Sequence, residues 1–530
     1  MQKQHKNDIL SILSNLQNFK LKLMADGIIV GIFSALLVIF YRVALEKAEE
    51  FRNAAIGWMQ QDMKHIWIWF AFLVLGGYLV GTMVKKEPMI SGSGIPQVEG
   101  ILLGKIHVNW LSIIIRKVIG GVITIGAGLS LGREGPSIQL GAAMGQGVQK
   151  IFKRFNIEEK YLITSGASAG LAAAFNAPLA GVLFSLEEVH KHFSPFVLLP
   201  AMFASLTADF ISKHFFGLKP VFGFENLLPL PLISYGYIAL LGVIMGCFGA
   251  FYNRILLKSQ AFYLKQKWLS VQYRPLLPFL IAGVLALTFP QVLGGGHSII
   301  ESLIDGNLTI KIMLITLVIK FAFSMLCYGS GAPGGIFFPL LVLGALTGAI
   351  YGNLLVRLCG FGPEYIHNFI ILAMAAYFTA IVRAPITGSI LITEMTGSFS
   401  HLLPLSFISI IAYIVADLLK SEPIYESLLD RLLKNNGEHE LTENSQDKVI
   451  LEIPVCIGSE MHGKAIKELQ LPSDCLLVGI RRGEKEVIPR GNTKIYSGNY
   501  LLVLVDENKA AFVNEVLSKM SGYHGAPSGK

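Results

Sequence analysis

The stretch "SLGREGPSIQLG", residues 130–141, sets a glutamate and an arginine inside glycine-rich, otherwise apolar sequence. An ionisable side chain in apolar, membrane-like surroundings is costly and marks a functional site. The chemistry open to Glu134 is anion mimicry. Glycine lets backbone N–H groups approach a ligand closely. The start of a helix presents free N–H groups and a partial positive charge. A carboxylate held among such groups takes the place of an anion. Protonated, it loses that attraction and can swing away, and burial favours the neutral form of a carboxyl group. The structural alternative is an ion pair of Glu134 with Arg133 or Lys117.

Two further segments share the pattern, "SGSGIPQVEG" from Ser91 and "GSGAPGGIFFPLL" from Gly329. Each joins a glycine-rich turn to an apolar, helix-like run, with proline suited to a first helical turn. Several such helix starts converging would bind an anion without a lysine, whose full charge holds an ion too tightly for passage. A single glycine stretch of this kind is better explained by close helix packing. Three in succession point to an anion site.

The elements that must position these residues are membrane helices. Of 530 residues, 53% are hydrophobic and 15% charged, against about 25% charged in a soluble protein. Mean hydropathy is +0.56. Apolar runs start at Gly27 and Ile66, and another covers residues 161–186. Roughly ten such runs, each near the length that crosses a bilayer, recur up to Lys420. The fold class is therefore an all-α polytopic membrane protein; a β-barrel would show short alternating segments. Residues 1–26 are polar and lack the features of a signal peptide. Lys3, Lys6, Lys20 and Lys22 place this segment in the cytoplasm. The net charge of +8 follows from membrane topology rather than from nucleic-acid binding. The five cysteines form no CxxC spacing, and His107, His190, His192, His297 and His367 form no HExxH. No G-x-S-x-G occurs either, so neither a metal site, a cofactor nor an enzyme is expected.

The membrane part contains an internal repeat. Gly92, Gly94, Glu99 and Gly104 match Gly294, Gly296, Glu301 and Gly306 at an offset of 202. "PSIQLGAAMG" from Pro136 matches "PLLVLGALTG" from Pro339, and "APLAGVLFSLE" from Ala177 matches "APITGSILITE" from Ala384. Duplicated halves are common in transporters, whose sites form at the repeat interface from broken helices. The last match pairs Glu187 with Glu394, which suggests a structural role for both. Beyond residue 430 the composition turns polar, giving a linker at 431–448. Short apolar runs and a closing helical pattern then mark a small α+β domain at 449–522, with a tail at 523–530.

"GSGIP", "GREGP" and "GSGAPGGIFFP", followed by "AAAFNAPLAGVLFSLEE" and "RAPITGSILITEMT", resemble the signature segments of the CLC chloride channels and chloride/proton antiporters. The resemblance covers roughly residues 20–430, with the transport domain at 27–430. It implies two inverted halves of broken, tilted helices, assembled as a homodimer with a pore in each subunit. It makes chloride the bound substrate ion and Glu134 the gate. Ser93, Tyr425 and the backbone N–H groups of Ile336 and Phe337 would hold the central chloride, and those around Arg133 to Gly135 an outer one. Glu188, the second glutamate of the pair after "FNAPLAG", matches the proton-relay glutamate of the family's antiporters, where channels usually carry valine. The bland reading of Glu188 is an exposed helix end. Ser93 and an intact "GREGP" imply chloride rather than nitrate or fluoride. The expected function is exchange of chloride for protons; the alternative is a passive chloride channel of the same fold, with a membrane sensor signalling through the tail as a further option. The expected location is the cell membrane, a bacterial inner membrane, with both termini cytoplasmic. "VIPRGNTKIYSGNYLLVLVD" resembles the TrkA-C (RCK C-terminal) domain. That implies a regulatory or dimer-stabilising module. A small ligand, with cyclic dinucleotides as one candidate, and a ligand-free dimerisation cap both stay open. The domain has no G-x-G-x-x-G loop for a dinucleotide cofactor.

Overall fold

The computed structural model describes residues 2–435 and 448–522, apart from residues 155, 192, 225, 226, 267, 457, 474 and 484. The expected tail and residues 436–447 of the expected linker lie outside the described residues. The chain divides into two compact units, one running to Leu432 and one starting at Leu433.

The first unit is helical. Nine helices among the described residues are long and apolar enough to cross a membrane. Two of these segments, Phe337–Cys359 and Pro363–Val382, are buried over most of their length, whereas the others keep an apolar face outward. That outward face is the lipid surface, so burial rather than hydropathy separates the central helices from the peripheral ones.

Three sequence-based boundaries shift. The first helix runs Gln2–Met59 without a break, so the polar residues 1–26 include the start of the first membrane helix rather than forming a separate segment. The helix Ile424–Asn435 extends into the expected linker, and the first strand takes in Lys448. The apolar run 161–186 is two helices, Asn156–Phe175 and Pro178–Phe184, followed by a wide π turn at Ser185–Val189. Asn176 takes a left-handed φ of 53°, and Pro178 supplies no N–H, so the helix stops and restarts. The second half repeats the device: Arg383, with φ 74°, separates Ile366–Val382 from Pro385–Thr396.

The two halves match element for element. Ile95–Leu102, Trp110–Gly126 and Glu134–Ile151 correspond to His297–Ile304, Ile310–Gly329 and Phe337–Cys359. Gly132 and Gly335, repeat mates, donate N–H···O bonds to each other, both at 2.7 Å. Glu187 accepts from the N–H groups of Ile386 (3.2 Å) and Thr387 (2.8 Å). Its mate Glu394 accepts from those of Leu179 (3.1 Å) and Ala180 (2.8 Å). Reciprocal bonds between mates are what a pseudo-two-fold axis produces, as in inverted repeats. Inside each half, small residues let helices touch backbone to backbone. A Cβ on Gly145 would lie 2.1 Å from the Leu162 carbonyl oxygen, and one on its mate Gly348 would lie 2.3 Å from that of Phe369.

The second unit is a four-stranded antiparallel sheet with one helix. Strands β1 (Lys448–Pro454), β2 (Cys475–Arg482), β3 (Lys485–Val487) and β4 (Asn499–Asp506) lie in the order β1-β4-β2-β3. Strand β4 alternates: Leu501, Val503 and Val505 point into the core against Val513 and Leu517 of the helix Glu507–Ser521.

Candidate anion and proton site

The helices that carry the signature residues start beside one another because their glycine turns are tied together. The Gly132–Gly335 pair lies two residues ahead of both Glu134 and Phe337, the first residues of their helices. Gly94, with φ +92°, starts the helix Ile95–Leu102. A Cβ on Gly135 would lie 2.8 Å from that of Ser93, so the Ser93 turn rests directly on the start of the Glu134 helix. Three helix N-termini thus converge, each with first-turn N–H groups that have no partner within the helix.

Two lysines hold the preceding turns. The Lys117 ammonium donates to the carbonyl oxygens of Ile90 (2.9 Å) and Gly92 (2.8 Å). The Lys320 ammonium does the same for Val292 (2.9 Å) and Gly294 (2.7 Å). The carbonyls of the turn ahead of Ile95, and of its repeat counterpart ahead of His297, are thereby satisfied by lysines. These lysines are repeat mates that the sequence reading missed as a pair, although a lysine inside an apolar run at a constant offset was visible. Lys117 is therefore engaged away from Glu134, which removes one partner of the ion-pair alternative. Arg133 stands 4.0 Å from the Glu134 carboxylate and 3.9 Å from Glu46, a loose contact shared between two acids.

Glu134 is buried, and its Oε2 has no hydrogen-bond partner among the described residues. Its carboxylate faces the backbone N–H of Phe338, in the first turn of the opposite half's helix. A small pocket lined by Glu46, Glu49, Arg133, His297 and Phe338 opens onto it. Ser93 is buried, and its Oγ accepts from the Ile95 N–H at 3.3 Å. Ile336 precedes the helix begun by Phe337, and both are buried. Tyr425 is the second residue of the helix Ile424–Asn435, fully buried, with a hydroxyl that has no partner among the described residues. Phe184 stacks edge-on with both Tyr425 (6.4 Å) and Phe337 (6.0 Å), which places the Tyr425 and Phe337 segments around one aromatic wall. The Tyr425 hydroxyl is within electrostatic reach of both Glu134 and Glu188.

Glu188 is 4% exposed and sits in the π turn, with Oε1 unpartnered among the described residues. It is not the exposed helix end of the bland reading. Gln97 donates to the Ser91 carbonyl at 2.9 Å and so braces the Ser93 turn from outside the site. Glu99, noted in the sequence only as a repeat position, is buried and paired with Lys191, unlike its exposed mate Glu301.

The comparisons agree with this architecture. The sequence model described as voltage gated chloride channel matches residues 76–417, and that of the TrkA-C domain matches residues 450–516. An H(+)/Cl(-) exchange transporter ClcA of Vibrio campbellii is 35% identical, over 83% of this chain and 95% of its own length. One from Yersinia pseudotuberculosis is 32% identical, over 83% and 94%. The crystal structure of a slow cyanobacterial Cl-/H+ antiporter superposes with a TM-score of 0.75 at 29% identity, over 78% of this chain and 99% of that one. With the family model covering most of the membrane unit and relatives matched over nearly their whole length, the chain belongs to the voltage gated chloride channel family.

Proposed function

We propose that the protein exchanges chloride for protons across a cell membrane, with Glu134 as the gate and Glu188 as the proton relay. The observation that carries this is the seat of Glu134. A carboxylate with an unpartnered oxygen, set where helix starts of both halves converge, sits where an anion would be held. Chloride binds between Ser93, Tyr425 and the N–H groups of Ile336 and Phe337, and displaces the Glu134 side chain when that is protonated. The outer N–H groups from Arg133 to Gly135 receive the ion next. Glu188, buried near Tyr425, passes protons toward Glu134, which favours exchange over a passive channel. The relatives named as exchange transporters support the same reading. The protein works as a homodimer with both termini cytoplasmic, in a bacterial inner membrane, and the TrkA-C domain regulates or stabilises it, with or without a small ligand.

The test is reconstitution into liposomes. A chloride gradient drives protons uphill in the native protein, and Glu188→Gln stops proton movement while chloride still passes. Chloride flux with no uphill proton movement would make the protein a channel instead.

A further inference from the structure

Lys191 sits three residues beyond Glu188 in a left-handed conformation, φ 55°, which is uncommon for a side chain of this size. That backbone turn aims its ammonium at two acids on separate helices. It pairs with Glu99 Oε1 at 2.5 Å and with Glu426. Glu99 lies on the short helix that starts just after Ser93, and Glu426 is the residue after Tyr425. One cation therefore joins the turn that bears Glu188 to the helices that present both hydroxyl groups of the anion site. Exposure is graded along the cluster. The side chain of Glu426 is 46% exposed and that of Lys191 35%, whereas that of Glu99 is 5% exposed. Glu188, in turn, is buried and within electrostatic reach of Lys191, Glu99, Glu426 and Glu187; Asp430 also faces Glu99.

We propose that Lys191 is a positioning residue for the proton branch: its ammonium clamps Glu99 and Glu426 together and fixes Glu188 relative to Ser93 and Tyr425. The inference rests on the relay reading of Glu188. Without the cation, three acids face one another around a buried turn, and mutual repulsion displaces Glu188 from its place near Tyr425. The turn before Ser93, tied down by Lys117, and the helix starts joined by the Gly132–Gly335 pair have their own supports and keep their geometry.

Proton and chloride fluxes through purified, reconstituted full-length protein decide it, with Lys191→Met, Lys191→Arg and Glu188→Gln compared. In Lys191→Met the protons moved per chloride fall by roughly tenfold, the scale of loss when a reacting group loses its support. Chloride flux stays within about twofold of the native rate, and Lys191→Arg restores most of the coupling because its fork can still span both carboxylates. Unchanged coupling in Lys191→Met, an equal fall of both fluxes, or an arginine variant as defective as the methionine one would each overturn the clamp. If Glu188→Gln blocks protons while Lys191→Met does not, the clamp alone fails. If Glu188→Gln leaves proton flux intact, the relay reading fails with it.

Discussion

Glu134 is held in place by what surrounds it, and Gly132 is one of the residues it packs against. A Cβ there would lie 2.3 Å from Glu134 Oε2. The backbone at Gly132 is not in the left-handed region, so the flexible carboxylate gives way first, and the Phe338 backbone, whose N would lie 3.1 Å from the new Cβ, shifts by a small amount. Gly132→Ala is therefore expected to fold and to displace the carboxylate of Glu134, the proposed gate, from its seat. Chloride flux becomes less dependent on protons, and coupling drops by up to about a hundredfold, the scale of a reacting group misplaced by about 1 Å. Paired flux measurements check this. At this scale the sequence was informative where chemistry is costly: a glutamate between glycines in apolar sequence can be read directly. It was silent on Lys191, because its partners Glu99 and Glu426 lie far along the chain and only the fold brings them together.

At the scale of elements, the two halves are fastened by acids that cap each other's broken helices. Glu187 receives two N–H groups and the Thr387 hydroxyl, and Glu394 receives two N–H groups. Glu187→Ala or Glu394→Ala is expected to cost about 1–2 kcal/mol, as for loss of a helix cap, seen as a lower unfolding temperature of the detergent-solubilised protein. Lys320→Met should cost more, because it leaves the buried carbonyls of Val292 and Gly294 without a donor, at about 1–3 kcal/mol each. The repeat was legible in the sequence because glycine, proline and the paired glutamates keep their order. The helix break inside residues 161–186 was not: an apolar run has the same hydropathy whether it is one helix or two, and only Asn176 and Pro178 hinted at the interruption.

For the whole molecule, the membrane unit and the small sheet domain each have their own hydrophobic core. Deletion of residues 440–530 is expected to leave chloride transport in place, with any effect confined to regulation or dimer stability; loss of all transport in a well-folded membrane unit would make the tail part of the machinery. The fold class followed from apolar runs of bilayer length and from the repeat. What composition could not give was the convergence of helix starts, which depends on the Gly132–Gly335 pairing between mates about two hundred residues apart. On the proposed function, that convergence makes a carboxylate and a halide compete for one set of main-chain N–H groups. Bromide, located by its anomalous scattering in crystals of Glu134→Gln, tests this most directly. A bromide is expected within hydrogen-bond distance of the Phe338 N–H, with the replaced side chain turned away. A side chain still in its seat, with bromide found only elsewhere, would contradict it.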